Sequence, residues 1–508
     1  MVIIYHQHNK VTKVCKDEIE ISFKASLNIA GTLIAVARQF PFERLIWCHI
    51  DVEKNVNWSA FDSVFHHDKI MASYNKSEDY FSEDLGYIDN SIFINVNRNV
   101  LYPTWFSSSA LGGISAQAIL QFENKIKPYK SFDYFLHSLS KIGMSKGLFC
   151  YSEPKLVLDQ SISIIVEKAS TRRLFQFVKE HYRTRWIFIL LLNFVIYKKH
   201  FPLWSFLLSL IYKKHNKIDI DLDVVKVQSK LKVAGSKTMD VIIPTIGRKS
   251  YLYDVLQDLA QQTHLPHNVI IVEQNPSPES TSELDYLTTE DWPFEVKHIF
   301  THQSGACNAR NVAAKHISSE WVFLSDDDIR FDKNLIYDIF CKVERYGITA
   351  VTTSCLQKNQ KLVFKTIHQT HIFGSGTSFV KTSAIKDISF AMALEFGYGE
   401  DFDFGMQLRN KGFEVIYFPE PSILHLKAPV GGFRTKHQFP WQKEKIQPRP
   451  SPTIMYVKQK YLTQKQILGY KLVLFFKIII KESPFKWFSA YKSLEQEWDM
   501  SIKWFKKL

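Results

Sequence analysis

Cysteine is scarce and scattered in this chain of 508 residues. None of its six cysteines forms a CxxC pair with another. This spacing gives no sign of a disulfide framework and predicts reduced, mostly packing side chains in a cytosolic protein. The first residues also lack a basic region followed by an apolar core, so the sequence predicts no secretory signal peptide.

Long apolar runs are missing as well, because each apolar piece falls well short of the ~20 residues that span a bilayer. The strongest pieces are residues 186–192 and 204–211, and they predict two helices joined at Phe201-Pro202. These helices either pack between domains or lie in a membrane interface with basic side chains on the headgroups. The basic side chains are Arg183, Arg185, Lys198 and Lys199.

Acidic residues are outnumbered, with 51 Asp and Glu against 64 Lys and Arg, which gives a formal net charge of +13. Such a balance suits an anionic partner, whether nucleotide phosphate, nucleic acid or an acidic membrane face. The sequence contains no nucleic-acid recognition motif, so nucleic acid is not an expected partner. The length exceeds what one compact core usually accommodates and predicts two or three domains.

Residues 1–170 have the pattern of a mixed α/β domain. Helical spacing covers residues 25–40, and residues 45–50 and 92–96 are predicted as strands. A Ser- and Gly-rich stretch at residues 102–113 could cradle a sugar or phosphate, or it could be a structural turn. No strand leads into Glu83-Asp84, the acidic pair of this part, so we expect no catalytic site here.

Two further segments flank the rest of the chain. Residues 171–236 are predicted as an apolar helical connector followed by a charged linker. Residues 461–508 are predicted as basic amphipathic helices, because eleven Lys face four acids from Met455 onward and Trp and Phe are interspersed. Basic residues mixed with aromatics suit a helix lying on an anionic bilayer.

A run of three carboxylates ends the apolar stretch 322–329, Val-Phe-Leu-Ser-Asp-Asp-Asp-Ile. The apolar part predicts a buried strand whose carboxyl end carries the acids, and open α/β sheets bind ligands just beyond that end. Three adjacent acids repel one another unless a cation lies among them. Because side chains alternate along a strand, Asp326 and Asp328 would offer oxygen ligands to one divalent metal. The alternative is a solvated acidic turn that caps the next helix.

Strands and helices alternate from Met239 onward. Residues 240–243, 269–272 and 296–300 are predicted as strands, and residues 251–262 as an amphipathic helix. Another helix opens at residues 305–311, before the strand that leads into Asp326. This alternation predicts an α/β fold with a mostly parallel sheet flanked by helices.

The order of these motifs resembles the family 2 glycosyltransferases, which have the GT-A fold. The pieces that carry the resemblance are residues 241–248, 305–311, 326–328, 374–379 and 399–403, then Arg409 with Gly412, and His425. The resemblance covers roughly residues 239–459, within a predicted domain at 237–460. Residues 1–170 look like an accessory domain that precedes the transferase in some bacterial members.

The resemblance implies a site. Donor binding falls to Pro244, Thr245, Arg248, Glu273, Arg310, Asp326 and Asp327. A divalent metal, Mn²⁺ or Mg²⁺, would be held by Asp326, Asp328 and His425. Asp401 is the implied general base, and Glu400, Gly376 and Arg409 are the implied acceptor residues. Glu273 stands where the family usually has Asp, which leaves the base preference open. Residues 431–434 are predicted as a mobile loop over the donor.

The implied activity is inverting sugar transfer from a nucleotide-sugar donor of the UDP or dTDP type to a glycan or lipid-linked acceptor. The expected location is the cytoplasm, peripheral to the inner face of the cell membrane. A nucleotidyltransferase that acts on sugar phosphates is the alternative within enzymes. A non-catalytic scaffold that binds sugar nucleotides is the alternative outside them.

Overall fold

The computed structural model describes residues 1–76, 80–91, 93–162, 167–215, 219–429 and 437–508. These residues form two compact units. The first unit contains Met1–Lys230 and Tyr461–Ala490, and the second contains Leu231–Lys460 and Tyr491–Leu508. The predicted division at residues 170, 236 and 460 stays a prediction, but residues 461–508 are shared between the two units rather than forming one segment.

Seventeen strands occur in the described residues. They are β1 (Val2–Gln7), β2 (Lys10–Lys16), β3 (Ile19–Glu20), β4 (Arg44–His49), β5 (Ile70–Ser73), β6 (Tyr102–Pro103), β7 (Leu111–Ser115), β8 (Phe149–Ser152), β9 (Met239–Thr245), β10 (Asn268–Gln274), β11 (Glu295–Thr301), β12 (Trp321–Ser325), β13 (Ile329–Arg330), β14 (Ala350–Leu356), β15 (His368–Thr370), β16 (Thr377–Lys381) and β17 (Val415–His425).

Sixteen α-helices occur in the same residues. They are α1 (Ile29–Gln39), α2 (Phe61–Val64), α3 (Ala116–Leu120), α4 (Phe132–Met144), α5 (Thr171–His181), α6 (Arg185–Lys198), α7 (Leu203–Ser209), α8 (Lys249–Ala260), α9 (Tyr286–Thr289), α10 (Ala306–Ala314), α11 (Leu335–Tyr346), α12 (Thr382–Ile385), α13 (Glu400–Asn410), α14 (Pro452–Tyr461), α15 (Gln464–Ile479) and α16 (Trp487–Phe505).

The first unit is built on an eight-stranded mixed sheet in the order β3-β2-β1-β4-β7-β5-β8-β6. Two of its pairings are parallel, β1 with β4 and β5 with β8, and the others are antiparallel. Strand β4 confirms the predicted strand at residues 45–50, and Trp47 at its centre is fully buried. The α/β character predicted for this part of the chain is therefore confirmed.

The strand predicted at residues 92–96 is wrong for residues 93–96, which form turns and bends, while Ile92 lies outside the described residues. Phe93 is nonetheless buried, with its ring edge-on to the rings of Trp105 and Phe106 at 5.7 and 5.4 Å between centroids. A short apolar run can thus be buried through aromatic packing without a neighbouring strand, and periodicity alone does not separate the two cases.

The stretch at residues 102–113 forms β6, a turn and the start of β7. Inside the turn, Ser108 accepts a hydrogen bond from Trp47 Nε1 at 2.9 Å and donates its backbone N–H to Ser73 Oγ at 3.0 Å. Ser108 is also buried. Because these polar groups bond to the protein itself, the structure favours the structural-turn interpretation over a sugar or phosphate cradle.

Polar caps set the starts of several helices in the first unit. Asn28 accepts a hydrogen bond from the Gly31 N–H at 2.8 Å, so α1 begins at Ile29, inside the predicted range 25–40. Ser170 caps α5 in the same way through the Arg173 N–H. Such caps satisfy N–H groups that have no partner within the helix.

The apolar segment forms the two predicted helices, α6 and α7. Ile187, Leu190 and Phe194 of α6 are buried in the core of the first unit. Other side chains of the segment are exposed, with Trp204 at 77% and Ile211 at 74%. No helix in the described residues is long and apolar enough to cross a membrane.

Helix α15 belongs to the first unit. Thr463 and Gln466 form a capping box at its start. Gln466 is fully buried, and its Nε2 donates to the backbone carbonyls of Asp89 and Ser91 at 3.0 and 2.9 Å. Residues near the C-terminus of the chain therefore complete the core of the unit that contains the N-terminus.

The second unit is built on a nine-stranded sheet in the order β11-β10-β9-β12-β16-β14-β17-β13, with β15 beside β17. The first four of these strands are parallel, as predicted. Strand β12 is the predicted buried strand, and Val322, Phe323 and Leu324 are at most 2% exposed. The carboxyl ends of β9, β10 and β12 meet at one edge, so Asp326 follows β12 at that edge.

Beyond β12 the sheet is mixed rather than parallel. Strand β16 runs antiparallel to β12, with Ser325 opposite Thr377. The chain enters β16 through Gly376, whose carbonyl accepts the Asp326 N–H at 3.2 Å. Because β16 begins where β12 ends, it can pair with β12 only in the opposite direction.

Candidate functional site

A cavity of about 780 Å³ opens at the edge of the second unit where β9, β10 and β12 end. We call it the strand-end cavity. Predicted site residues on its wall are Pro244, Thr245, Arg248, Arg310, Asp326, Asp327, Asp328, Glu400 and His425. Predicted site residues outside its wall are Glu273, Gly376, Asp401 and Arg409. The structure thus brings together nine of the thirteen predicted site residues.

Asp327 forms a buried ion pair with Arg248 at the cavity wall. Arg248 Nη1 donates to Asp327 Oδ1 at 2.5 Å, and Thr245 Oγ1 donates to Oδ2 at 2.7 Å. The Arg248 side chain is 9% exposed and the Asp327 side chain is 3% exposed. Burial raises the pKa of Asp327 to about 6 although the guanidinium opposes the rise. The pair fixes a buried positive group at the cavity wall.

Asp326 is the more open acid, with 36% of its side chain exposed. Arg310 of α10 donates from Nη2 to Asp326 Oδ1 at 2.8 Å and is itself 6% exposed in its side chain. A Cβ added at Gly376 would overlap the Asp326 carboxylate. Two guanidinium groups therefore lie among the three acids, where the sequence argument considered a metal cation.

Asp328 and His425 meet because β13 and β17 pair, with Ile329 opposite His425. His425 Nε2 is 3.4 Å from Asp328 Oδ1, and the Ala428 N–H donates to Oδ2 at 2.8 Å. The hydrogen bond to Asp328 raises the pKa of His425. Burial favours a higher pKa for Asp328, but the His425 hydrogen bond and the charge of Arg248 outweigh it and lower that pKa.

The predicted metal ligands share one cavity wall. Two carboxylates and an imidazole, those of Asp326, Asp328 and His425, form a donor set that fits a divalent cation. In the described residues their ligand atoms do not all come within 4.8 Å of one another. The chemistry of these three side chains, rather than their spacing, is what fits a divalent metal.

Glu400 and Asp401 begin α13 at its positive end. Glu400 lies on the cavity wall, and burial, followed by the negative charge of Asp401, raises its pKa to about 7. Asp401 lies behind the wall, where its Oδ1 accepts the Ser375 N–H at 2.9 Å, and burial raises its pKa. Ser375 itself lines the cavity, so the predicted base is bonded to a residue of the cavity wall.

Glu273 and Arg409 are engaged elsewhere in the unit. Glu273 accepts from Ser282 Oγ at 2.6 Å and from the Glu283 N–H at 3.0 Å, and His298 Nε2 lies 2.9 Å from it. Arg409 is buried, donates to the Thr370 carbonyl at 3.2 Å, and has its pKa lowered to about 10 by burial. The acceptor roles of Arg409 and Gly376 stay predictions.

Several wall residues have no counterpart in the sequence interpretation. Gln274, next to Glu273, lines the cavity and accepts the Gly305 N–H at 2.6 Å. Glu395 accepts the N–H groups of Cys307 and Asn308 at 3.1 and 2.7 Å, at the start of α10. Nothing in the local sequence marks Glu395, because its partners lie almost ninety residues earlier.

An aromatic wall lies beside Glu395. Phe396 stacks on His437 with 4.2 Å between ring centroids and an interplanar angle of 11°. Tyr398, 67% exposed, lines the same space. Residues 431–434, predicted as a loop over the donor, lie outside the described residues.

Comparison with known proteins shows that part of the chain matches a family model. Residues 240–397 match the family model described as glycosyl transferase family 2. An uncharacterized glycosyltransferase of Haemophilus influenzae is 32% identical over 90 residues, which cover 18% of this chain and 29% of that protein. The match thus spans less than a third of that relative's length.

Crystal structures of S. aureus TarS are also similar. TarS 1-349 in complex with UDP-GlcNAc has a TM-score of 0.36 and 17% identity, and the match covers 51% of this chain and 81% of that one. A crystal structure described simply as TarS has a TM-score of 0.32 and 20% identity, and the match covers 38% of this chain and 37% of that one.

Proposed function

Because residues 240–397 form a glycosyl transferase family 2 domain, we propose that this protein is an inverting glycosyltransferase. It moves a sugar from a UDP- or dTDP-type donor to a glycan or lipid-linked acceptor by a single displacement. The observation that carries this proposal is the strand-end cavity, where carboxylates, buried guanidinium groups and an imidazole surround one space.

The guanidinium groups suit a diphosphate leaving group. Negative charge grows on the diphosphate as the glycosidic bond breaks, and fixed positive groups stabilise it best where water is excluded. Arg310, 5% exposed, and Arg248, held by Asp327 and Thr245, are such groups. Guanidinium also matches phosphate oxygens in paired hydrogen bonds.

A divalent metal, Mn²⁺ or Mg²⁺, would be held by Asp326, Asp328 and His425. When bound, such an ion supplies further positive charge for the diphosphate oxygens. The residues themselves prepare this role, because His425 orients the Asp328 carboxylate and Gly376 leaves room for that of Asp326.

The acceptor side is formed by the start of α13. We assign Asp401 as the general base that takes the proton of the acceptor hydroxyl, and the Ser375 N–H holds its carboxylate in place. Burial raises its pKa, which makes the carboxylate a better proton acceptor. Glu400, on the wall itself, binds and orients the acceptor.

Peripheral contact with an anionic membrane is part of the proposal. It is supported by the exposed apolar side chains of the segment that contains α6 and α7, chiefly Trp204 and Ile211. Exposed basic residues flank these helices, namely Arg183, Arg185, Lys199 and Lys213. An apolar surface with basic flanks is typical of helices that lie in the headgroup region, and it supports a location at the inner face of the cell membrane.

The test begins with a thermal-shift screen of nucleotide sugars in the presence of Mn²⁺ or Mg²⁺, because a ligand of the native state raises its stability. The donor found in this way is then incubated with candidate acceptors. Release of a nucleoside diphosphate supports sugar transfer. Pyrophosphate release in a parallel incubation with a nucleoside triphosphate and a sugar 1-phosphate would instead indicate a nucleotidyltransferase.

Asp401→Asn is the decisive variant. It should bind the donor like the wild type yet lose at least ~10²-fold in single-turnover transfer, because general-base catalysis typically supplies ~10²–10⁴-fold. Glu400→Gln serves as the comparison and should mainly raise the KM for the acceptor. Near-normal transfer by Asp401→Asn together with a large loss in Glu400→Gln would move the base to Glu400.

A further inference from the structure

Three metal-ligating side chains meet in the first unit, away from the strand-end cavity. Glu180 and His181 end α5, and His215 follows α7. One ligand atom of each lies within 4.8 Å of those of the other two. In the part of the chain that the structure describes, no other group of three Asp, Glu, His or Cys residues meets this condition.

The Glu180 carboxylate is fixed by neighbouring hydroxyl and amide groups. Its Oε2 accepts from Tyr134 Oη at 2.5 Å and from Tyr129 Oη at 3.1 Å, and its Oε1 accepts from Gln176 Nε2 at 3.0 Å. Glu180 is 4% exposed. Among the described residues, no Lys or Arg forms an ion pair with this carboxylate. A cation would therefore stabilise its buried negative charge.

The His181 ring is oriented by its outer nitrogen. Its Nε2 lies 3.0 Å from Ser138 Oγ, and its ring packs on that of Phe177 with 4.3 Å between centroids. With the ring proton on Nε2, the lone pair of Nδ1 remains for a metal. Histidine ligands of metals are usually held through the other nitrogen in this manner.

His215 supplies the observation that hydrogen bonding does not explain. Its Nδ1 is buried and has no hydrogen-bond partner among the described residues. Its backbone N–H donates to the Glu180 carbonyl at 2.8 Å, and its ring lies 5.0 Å from that of His181. An imidazole nitrogen without a hydrogen-bond partner offers the lone pair that a metal binds.

We propose that Glu180, His181 and His215 bind a divalent transition metal of the zinc class. Two imidazoles and one carboxylate are the donor set of three-ligand zinc sites, and calcium and magnesium prefer oxygen donors throughout. The nearby cation Lys141 is paired with Asp89 at 3.2 Å, which limits its repulsion of a metal. The ion would join the end of α5 to the chain that follows α7 and so stabilise the first unit.

Zinc binding to the full chain tests this assignment. The protein is stripped with a chelator and titrated with Zn²⁺ alone against a chromogenic competitor. His215→Gln keeps the size of the side chain, and His316→Gln alters an exposed histidine of the second unit as the control. His425→Gln is measured in parallel, because the strand-end cavity also offers metal ligands.

The wild type, His316→Gln and His425→Gln should each bind one tight equivalent of Zn²⁺ that His215→Gln lacks. Co²⁺ should give visible d–d bands with the wild type that His215→Gln loses, and His215→Cys should restore Zn²⁺ binding through a thiolate. Zn²⁺ should raise the melting temperature of the wild type and leave that of His215→Gln unchanged. Equal zinc content in the wild type and His215→Gln would overturn the proposal, and so would loss of the equivalent in His425→Gln alone.

Discussion

At the scale of single residues, the position of Asp326 in the acid triplet requires glycine at residue 376. The Asp326 carboxylate occupies the space that a Cβ at Gly376 would take. The same carboxylate receives Arg310 at 2.8 Å. Any larger residue at 376 must therefore displace the acid or separate it from its guanidinium partner.

Gly376→Ala should weaken the binding of Mn²⁺ and nucleoside diphosphate at least tenfold while the fold survives, because the displaced Asp326 carboxylate leaves the position from which it would bind. Calorimetric titration of both ligands measures the effect. Gly235→Ala, where an added Cβ meets only ordinary contacts, is the matched control and should bind like the wild type. Unchanged affinity in Gly376→Ala would mean that Asp326 does not bind the donor or its metal.

Glu400 gives a prediction about pH. Its pKa rises from 4.5 to about 7 on folding, through burial and then through the charge of Asp401. Because its pKa is raised, ionising Glu400 costs free energy in the folded chain. This cost is absent below pH 4.5. As the pH rises from 4.5 to 7 the free energy of unfolding falls progressively, and the loss is complete above pH 7. Glu400→Gln removes this dependence.

Glu400→Gln should therefore be more stable than the wild type at pH 8, by about 2–3 kcal/mol, and equal to it near pH 4. Denaturant unfolding of ligand-free protein at both pH values measures the difference. Glu279→Gln, on an exposed residue outside the cavity, should follow the wild type at both. A constant difference between Glu400→Gln and the wild type across this range would contradict the raised pKa.

Sequence reasoning finds residues that carry a local motif. Asp326, Arg310 and His425 are predictable because an acid run after a buried strand, a Gly-led helix and an isolated histidine each match a known pattern. Glu395 is not predictable, because its role comes from a fold-back onto the Cys307 and Asn308 amides. Gln274 is missed for another reason. It follows Glu273 at the end of β10, and the sequence does not indicate which of these two residues faces the cavity.

At the scale of elements, the order of strands is harder to predict than their positions. The strand-end positions of β9, β10 and β12 follow from alternating apolar segments and helices. The reversal at β16 does not, because it depends on where the chain re-enters the sheet beside Asp326. The apolar run around Phe93 predicts a strand, but Phe93 packs against aromatic rings without forming one.

The segment of α6 and α7 supports a prediction about membranes. Replacing both Trp204 and Ile211 by Ser should lower binding to vesicles rich in phosphatidylglycerol at least tenfold, because these side chains are the most exposed large apolar groups of the segment. Phe42→Ser alters another exposed aromatic side chain, 87% exposed, and should bind like the wild type.

A flotation assay measures this binding, and ~0.5 M salt should weaken it through screening of the basic flanks. If the full-length protein does not float with such vesicles, or if the double variant floats as well as the wild type, the membrane contact is wrong.

At the scale of the whole molecule, the sequence predicts the α/β class of both halves and the helices that end the chain. It does not predict that Gln466 is buried beside Asp89 and Ser91. Long-range pairing of this kind has no periodic signal, because the partners lie 377 and 375 residues apart in the chain. A basic, aromatic-rich composition predicts the exposed surface of these helices but does not predict which residues are buried.

The return of residues 461–490 to the first unit has a consequence for biosynthesis. The ribosome delivers the N-terminal sheet first, yet Gln466 and the rest of α15 emerge only after residues 231–460 of the second unit have been translated. The first unit is complete only after residues 461–490 leave the exit tunnel, and the second only after residues 491–508 do, whereas N-terminal domains usually fold as they emerge. Chains that terminate before residue 461 therefore expose two unfinished interiors at once, which makes them targets for quality-control proteases.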